Sequence, residues 1–166
     1  MAGPGLCLAL QGLGQVRADL VVLHTNDVHC GVENQLGYAQ LAQYKKDLMK
    51  NPDDTVQLVD AGDAIQGEPL GSLTRGQAVI DIMNVAGYDF AIPGNHEFDY
   101  GVARLLELAP QLAGGYYSCN LVDLRTGKTV FPPYKMVPMT AGKGGLHRRD
   151  DAADLDFFDA PLLPGR

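Results

Sequence analysis

Hydrophobic and polar positions along the chain follow two periods, one typical of strands and one typical of helices. Apolar, β-branched runs predict strands over residues 20–25 and 55–63, and a third strand over 88–95. The first run, LVVLHT, is nearly continuous, which is typical of a strand buried on both faces of a parallel sheet.

Between and after these strands, apolar residues recur at helical spacing. They predict helices over 37–50, 77–87 and 100–112, with Gly87 as a C-cap and Pro110 near the end of the third helix. The first helix has an apolar face formed by Tyr38, Leu41, Tyr44 and Leu48. Strands that alternate with helices predict an α/β layered fold.

Composition narrows the classes of partner. A chain of 166 residues that is 46% hydrophobic can form one domain with its own core. A net charge of -7 argues against nucleic acid or an anionic membrane as partner. The three cysteines, Cys7, Cys30 and Cys119, do not have the spacing of a metal site or a disulfide framework. No apolar run after the N-terminus is long enough for a membrane span.

The first 18 residues are small, apolar and glycine-rich. Val16 and Ala18 stand where a small-x-small cleavage site would be, but a basic start is missing and Gln11 interrupts the apolar stretch. Residues 1–18 are therefore interpreted as a leader remnant or a disordered N-terminus. A leader would indicate a periplasmic or extracellular location.

Each predicted strand is followed by residues of the types that can bind metals. Asp27 and His29 follow the first strand, Asp63 the second and Asn95 the third. Because ligands bind at the carboxyl ends of parallel strands, these side chains are expected to meet in one crevice. Asp27 and His29 would hold one divalent ion, Asp63 would bridge two ions, and Asn95 would bind the second. Two such ions would attract a phosphate.

The segment PGNHEFD adds a candidate acid. His96 is expected to face the substrate and to protonate a leaving alkoxide, with Asp99 on its other nitrogen. Glu97 is interpreted as structural, and His24 as a core or supporting histidine rather than a ligand. Taken singly, these residues also fit ordinary turns and helix caps; their recurrence at three strand ends favours a site. The other charged residues assigned to solvated surface are Glu33, Lys45, Lys46, Asp53, Asp54, Asp81, Asp89 and Glu107.

Three segments carry a family resemblance: LHTNDVHCG, the long run from DAGDAIQGEPLG to IPGNHEFDYG, and YYSCN. Over residues 19 to about 138 the chain resembles the N-terminal calcineurin-like metallophosphoesterase domain of the secreted 5'-nucleotidase family. The resemblance implies the first βαβ half of a four-layer α/β metallophosphoesterase sandwich. It also implies two divalent ions (Zn, Mn, Mg or Co), the ligands named above and a His96–Asp99 catalytic dyad.

The implied activity is hydrolysis of a nucleotide, or another small phosphoester, by water. The family also has histidines in a Gly-His-x-His-like motif and a nucleoside-binding domain, neither of which this sequence contains. Two alternatives stay open: an inactive truncated product, or another hydrolase of the branch. The latter could be a 2',3'-cyclic phosphodiesterase, a nucleotide-sugar hydrolase or a thiosulfate-ester hydrolase.

Residues 141–166 do not fit the family pattern and are rich in aspartate. One interpretation is a disordered acidic end. The other is a frameshift near residues 138–145, because reading GLHRRDDAADLDFFDAPLLP one base forward permits AFIGVTTPQTLTSSTPHFFQ, a family-like strand and loop. Residues 19–140 would then be the partial domain, and the tail would be out of frame.

Overall fold

The fold is built on a three-stranded parallel sheet. The computed structural model describes residues 19–33 and 37–139. Strands β1 (Leu20–Thr25), β2 (Thr55–Asp60) and β3 (Phe90–Ala91) lie in the order β1-β2-β3. Both pairings are parallel. Because parallel neighbours require a crossover between them, this topology confirms the predicted α/β class and the βαβ organisation.

Four α-helices accompany the sheet within the described residues. They are α1 (Tyr38–Leu48), α2 (Pro69–Thr74), α3 (Gln77–Ala86) and α4 (Val102–Leu108). Their apolar residues form one core with the covered face of the sheet. The most buried members of this core include Leu58, Ile65, Val79, Ile80, Met83, Leu105 and Leu108. Gly87 ends α3 in the left-handed conformation (φ 80°), as predicted.

The buried face of α1 differs from the prediction. Tyr38 and Leu41 are buried, but Tyr44 is 52% exposed and Lys45 is buried in its place. The Lys45 ammonium lies 2.6 Å from the carbonyl of Gly87 and 2.6 Å from a carboxylate oxygen of Asp89. The surface assignment of Lys45 and Asp89 is therefore wrong, because the lysine stem packs while its charge is paired.

Several other boundaries differ. The third strand is only two residues long, and the third helix becomes a 3₁₀ turn at Ala109–Gln111, where Pro110 lacks an N–H group. Helix α2 and the hairpin of β4 (Val122–Asp123) and β5 (Lys128–Thr129) were not predicted.

The second face of the sheet is open within the described residues. Val22 and His24 of β1 are exposed, whereas Leu23 between them is partly buried. His24 lines a shallow apolar groove together with Val59 and Phe90. The expectation of a strand buried on both faces is therefore wrong for this part of the chain. Of the two roles expected for His24, the core role is wrong and the supporting role stays a prediction.

Some expectations fall elsewhere. The leader remnant (1–18) and the out-of-frame tail (141–166) lie outside the described residues. Across the described ranges, none of the helices has the length and apolarity that a membrane crossing requires.

Candidate metal centre

The loops that follow β1 and β2 run side by side. The N–H of Asp27 donates to the carbonyl of Gly62 (3.0 Å), and the N–H of His29 donates to the carbonyl of Asp63 (2.9 Å). These bonds extend the pairing of the two strands into the turns beyond them. The parallel sheet therefore brings the polar ends of β1 and β2 to one edge, as the strand pattern predicted.

Three of the polar residues in these loops have left-handed backbone. The φ angles are 54° at Asp27, 48° at His29 and 63° at Asp63. Residues other than glycine rarely adopt this conformation, and it concentrates at functional sites. The loop bonds described above hold this conformation in place.

Ligand atoms of His29, Asp63 and His96 all lie within 4.8 Å of one another. The two imidazole rings meet edge to face, with centroids 5.0 Å apart. Two imidazole nitrogens and a carboxylate oxygen are ligands that Zn²⁺ and related divalent ions accept. The donor set therefore fits a metal, and His96 lies beside the two predicted ligands.

Asp27 lies outside this cluster, and Asn95 directly precedes His96 in the chain. Both side chains are exposed, and a carboxylate oxygen of Asp27 accepts a bond from the amide of Asn26 at 2.7 Å. Asn95 stands at the start of a 3₁₀ turn, His96–Phe98, where its carbonyl accepts the N–H of Phe98 at 3.3 Å. Their roles as metal ligands stay predictions.

His96 and Asp99 are in contact. The Nδ1 atom of His96 lies 2.8 Å from a carboxylate oxygen of Asp99, three residues along the same turn. This bond is the main reason that the pKa of His96 is raised above its ordinary value. It also leaves the other ring nitrogen, Nε2, available to a ligand or substrate. The catalytic role of the pair stays a prediction.

Glu97 lies beneath the cluster and is only 1% exposed. Its carboxylate accepts backbone N–H bonds from Asp63 and Gly94, which belong to the loops after β2 and β3. The sequence indicated a structural role but not these partners. The only signal was its place between His96 and Phe98 in the segment PGNHEFD.

Glycines allow the loops after β2 and β3 to approach each other closely. A Cβ atom on Gly94 would lie 2.2 Å from a carboxylate oxygen of Asp63. A Cβ atom on Gly62, whose φ is 110°, would lie 2.7 Å from the nitrogen of Gly94. The same oxygen of Asp63 accepts the N–H of His96 at 2.8 Å. The glycines therefore make room for the Asp63 carboxylate beside the third loop.

Asp60, at the end of β2, was not singled out by the sequence. It is 1% exposed and accepts bonds from the hydroxyl of Thr25 (2.6 Å) and the N–H of Gly62 (2.9 Å). The Thr25 hydroxyl also meets the Tyr88 hydroxyl at 2.9 Å. Burial raises the pKa of Asp60 to about 7. This network supports the turn that leads to Asp63.

The family profile described as calcineurin-like phosphoesterase matches residues 20–163. The chain therefore belongs to the calcineurin-like phosphoesterase family. This match covers the sheet, all the site residues and the segment beyond residue 139.

Within that family, the curated relatives include nucleotidases. The chain is 33% identical over 148 residues to a snake venom 5'-nucleotidase of Gloydius brevicauda, covering 77% of this chain and 25% of the relative. It is 33% identical over 137 residues to a 2',3'-cyclic-nucleotide 2'-phosphodiesterase/3'-nucleotidase of Yersinia enterocolitica, covering 72% and 21%. The chain thus spans a quarter or less of the length of these relatives.

A solved structure shares the fold. The crystal structure of a 5'-nucleotidase precursor from Thermus thermophilus aligns with a TM-score of 0.61 and 28% identity. The alignment covers 72% of this chain and 26% of that one. The predicted metallophosphoesterase fold is confirmed.

Proposed function

We propose that this chain carries part of the active site of a 5'-nucleotidase-type hydrolase, which converts a nucleotide and water into a nucleoside and phosphate. The observation that carries the proposal is the convergence of His29, Asp63 and His96, with Asp99 bonded behind His96. The 5'-nucleotidases among the relatives support the substrate class.

The residues proposed to hold two divalent ions are Asp27, His29, Asp63 and Asn95. Such ions supply the positive charge that a phosphate needs and that a chain of net charge -7 otherwise lacks. The protein contributes the ordering of the ligands: Asp63 is held by backbone bonds on one side and by the N–H of His96 on the other.

His96 is proposed to act on the leaving group. With Nδ1 bonded to Asp99, its Nε2 can carry the proton that the departing alkoxide takes up. The bond to Asp99 raises the pKa of His96 in the metal-free chain, the direction that suits a general acid. Asp99 is then a positioning residue, since it orients the ring and stabilises its charge.

The described residues bring together three ligand atoms in one cluster, which is few for two ions. We therefore expect the 166-residue chain alone to bind divalent ions weakly and to show little or no hydrolysis. Further ligands and nucleoside contacts are proposed to come from regions that the longer relatives have.

A chimera tests this function. Residues 19–139 would replace the corresponding stretch of the Thermus thermophilus 5'-nucleotidase, and phosphate release from AMP would be measured with added Mn²⁺. We expect activity that falls about 10² to 10⁴-fold in His96→Ala. Asp63→Ala should be at least as damaging. A full-rate His96→Ala chimera would contradict the assigned acid.

The similarity to the Yersinia enterocolitica phosphodiesterase favours one alternative substrate. The chimera should therefore be assayed in parallel with 2',3'-cyclic AMP, a nucleotide sugar and a thiosulfate ester. Preference for the cyclic substrate in the Thermus thermophilus chimera would move the proposal to that activity. We also propose a periplasmic or extracellular location, which the venom relative supports.

A further inference from the structure

The cluster of His29, Asp63 and His96 requires that the turns after β2 and β3 keep a fixed separation. These turns have no regular hydrogen-bond ladder between them, because β3 is only two residues long. Side chains span the gap instead, and one of them accepts N–H groups from both turns. It is Glu97, which follows His96 directly and is almost fully buried.

Each carboxylate oxygen of Glu97 accepts from two backbone N–H groups. One oxygen lies 2.8 Å from the nitrogen of Asp63 and 2.6 Å from that of Gly94. The other lies 2.8 Å from the nitrogen of Ala64 and 3.4 Å from that of Ile65. A carboxylate suits this position because it has two oxygens and no donor. A glutamine amide would turn an NH₂ group toward N–H donors.

The same short turn also holds the side chain of Asp63. The N–H of His96 donates to its carboxylate at 2.8 Å, while the neighbouring Glu97 takes its backbone N–H. Asp63 is thus fixed at main chain and side chain by two consecutive residues. Its left-handed backbone makes such fixing necessary.

We infer that Glu97 is a positioning residue for the metal centre: its carboxylate sets the place of Asp63 relative to the loop that carries Asn95 and His96, and thereby the affinity of the site for divalent ions. The inference deepens the proposed function and rests on its metal site. It differs from a purely structural role, in which losing Glu97 would lower stability but leave the metal affinity of the folded protein unchanged.

The first experiment compares Glu97→Gln with Glu107→Gln in the 166-residue chain. Glu107 is an exposed glutamate of α4, paired with Arg104, and is the matched control. Mn²⁺ binding would be followed by water proton relaxation, and unfolding by urea titration. We expect Glu97→Gln to weaken Mn²⁺ binding about 10 to 100-fold in the folded protein, as loss of a partner behind a ligand does. Glu107→Gln should bind like the parent.

A second measurement reports on the backbone hydrogen bonds to the Glu97 carboxylate. Amide hydrogen exchange should accelerate in Glu97→Gln at Asp63, Ala64 and Gly94 more than at the buried strand residue Leu58. Unchanged Mn²⁺ affinity in folded Glu97→Gln, or uniform acceleration at all four amides, would overturn the inference.

If Glu97→Gln does not fold, Glu97→Asp decides the question. Aspartate keeps the charge but is one methylene shorter, so its oxygens lie farther from the N–H groups. Weaker Mn²⁺ binding is therefore expected, and parent-like binding would contradict the inference. These measurements need no turnover. Absence of nucleotide hydrolysis in the chimera would therefore refute the proposed activity while leaving the role of Glu97 to be judged on its own data.

Discussion

Replacing Gly94 with alanine is expected to damage the metal centre through a single methyl group. The added Cβ would stand 2.2 Å from a carboxylate oxygen of Asp63 and 2.8 Å from its Cγ and its backbone nitrogen. Ordinary contacts between such atoms are about 3.5 Å, so the carboxylate must move by roughly 1 Å. The bond from the N–H of His96, now 2.8 Å, would then be lost.

The expected loss in free energy of unfolding is the sum of the clash and the lost hydrogen bond. Forcing a methyl group into a packed site costs about 1–3 kcal/mol. Losing a hydrogen bond to a charged acceptor costs about 1.5–3 kcal/mol more. Water can replace part of this bond, because the site is partly open. We therefore expect Gly94→Ala to lower the free energy of unfolding by about 2–5 kcal/mol, which many domains survive.

The assay is urea unfolding with and without Mn²⁺, with Gly101→Ala as control. Gly101 has φ 88° and ψ 150°, a region that other residues rarely adopt, and open space where a Cβ would stand, so alanine there brings backbone strain of about 1–3 kcal/mol without a clash. Gly94→Ala should lose more stability than this control and should lose stabilisation by Mn²⁺. A loss below about 1 kcal/mol with parent-like Mn²⁺ stabilisation would refute the reasoning.

Three further predictions concern charged side chains. Asp99→Asn should lower the pKa of His96 toward its ordinary value, measured by NMR titration of the metal-free chain; an unchanged pKa would contradict the pairing. Because burial raises the pKa of Asp60 from 3.8 to about 7, the folded state binds a proton that the unfolded chain releases. Stability should therefore fall as pH rises from about 4 to 7, and Asp60→Asn should flatten that slope in urea titrations at several pH values. Lys45→Met should destabilise by about 1–3 kcal/mol, since it leaves Asp89 without its cation; a neutral effect on thermal unfolding would show that the pair contributes little.

The location of the site was predictable because it depends on local pattern and one topological rule. Apolar runs mark β1 and β2, and parallel strands place their carboxyl ends at one edge. His29 and Asp63 follow those strands, so their meeting needed no knowledge of side-chain contacts. His96 and Asp99 are three residues apart, which allowed their contact to be anticipated from spacing alone.

The support of the site was not predictable in the same way. The carboxylate of Glu97 meets N–H groups 32 to 34 residues away along the chain, and such partners leave no periodic signal. Lys45 was assigned to the surface because charge usually indicates exposure, but its long stem fits a buried helix position when Asp89 pairs its ammonium. Asp27 is exposed and has left-handed backbone, neither of which its sequence neighbours reveal.

The central claim is that His29 and Asp63 hold a divalent metal next to His96. It is tested most directly by anomalous diffraction from crystals of the chain grown with millimolar Mn²⁺. The account predicts a manganese peak about 2.0–2.3 Å from the Asp63 carboxylate and a His29 ring nitrogen. A strong peak elsewhere on the protein, or none at this cluster when Mn²⁺ saturates the crystal, would contradict it.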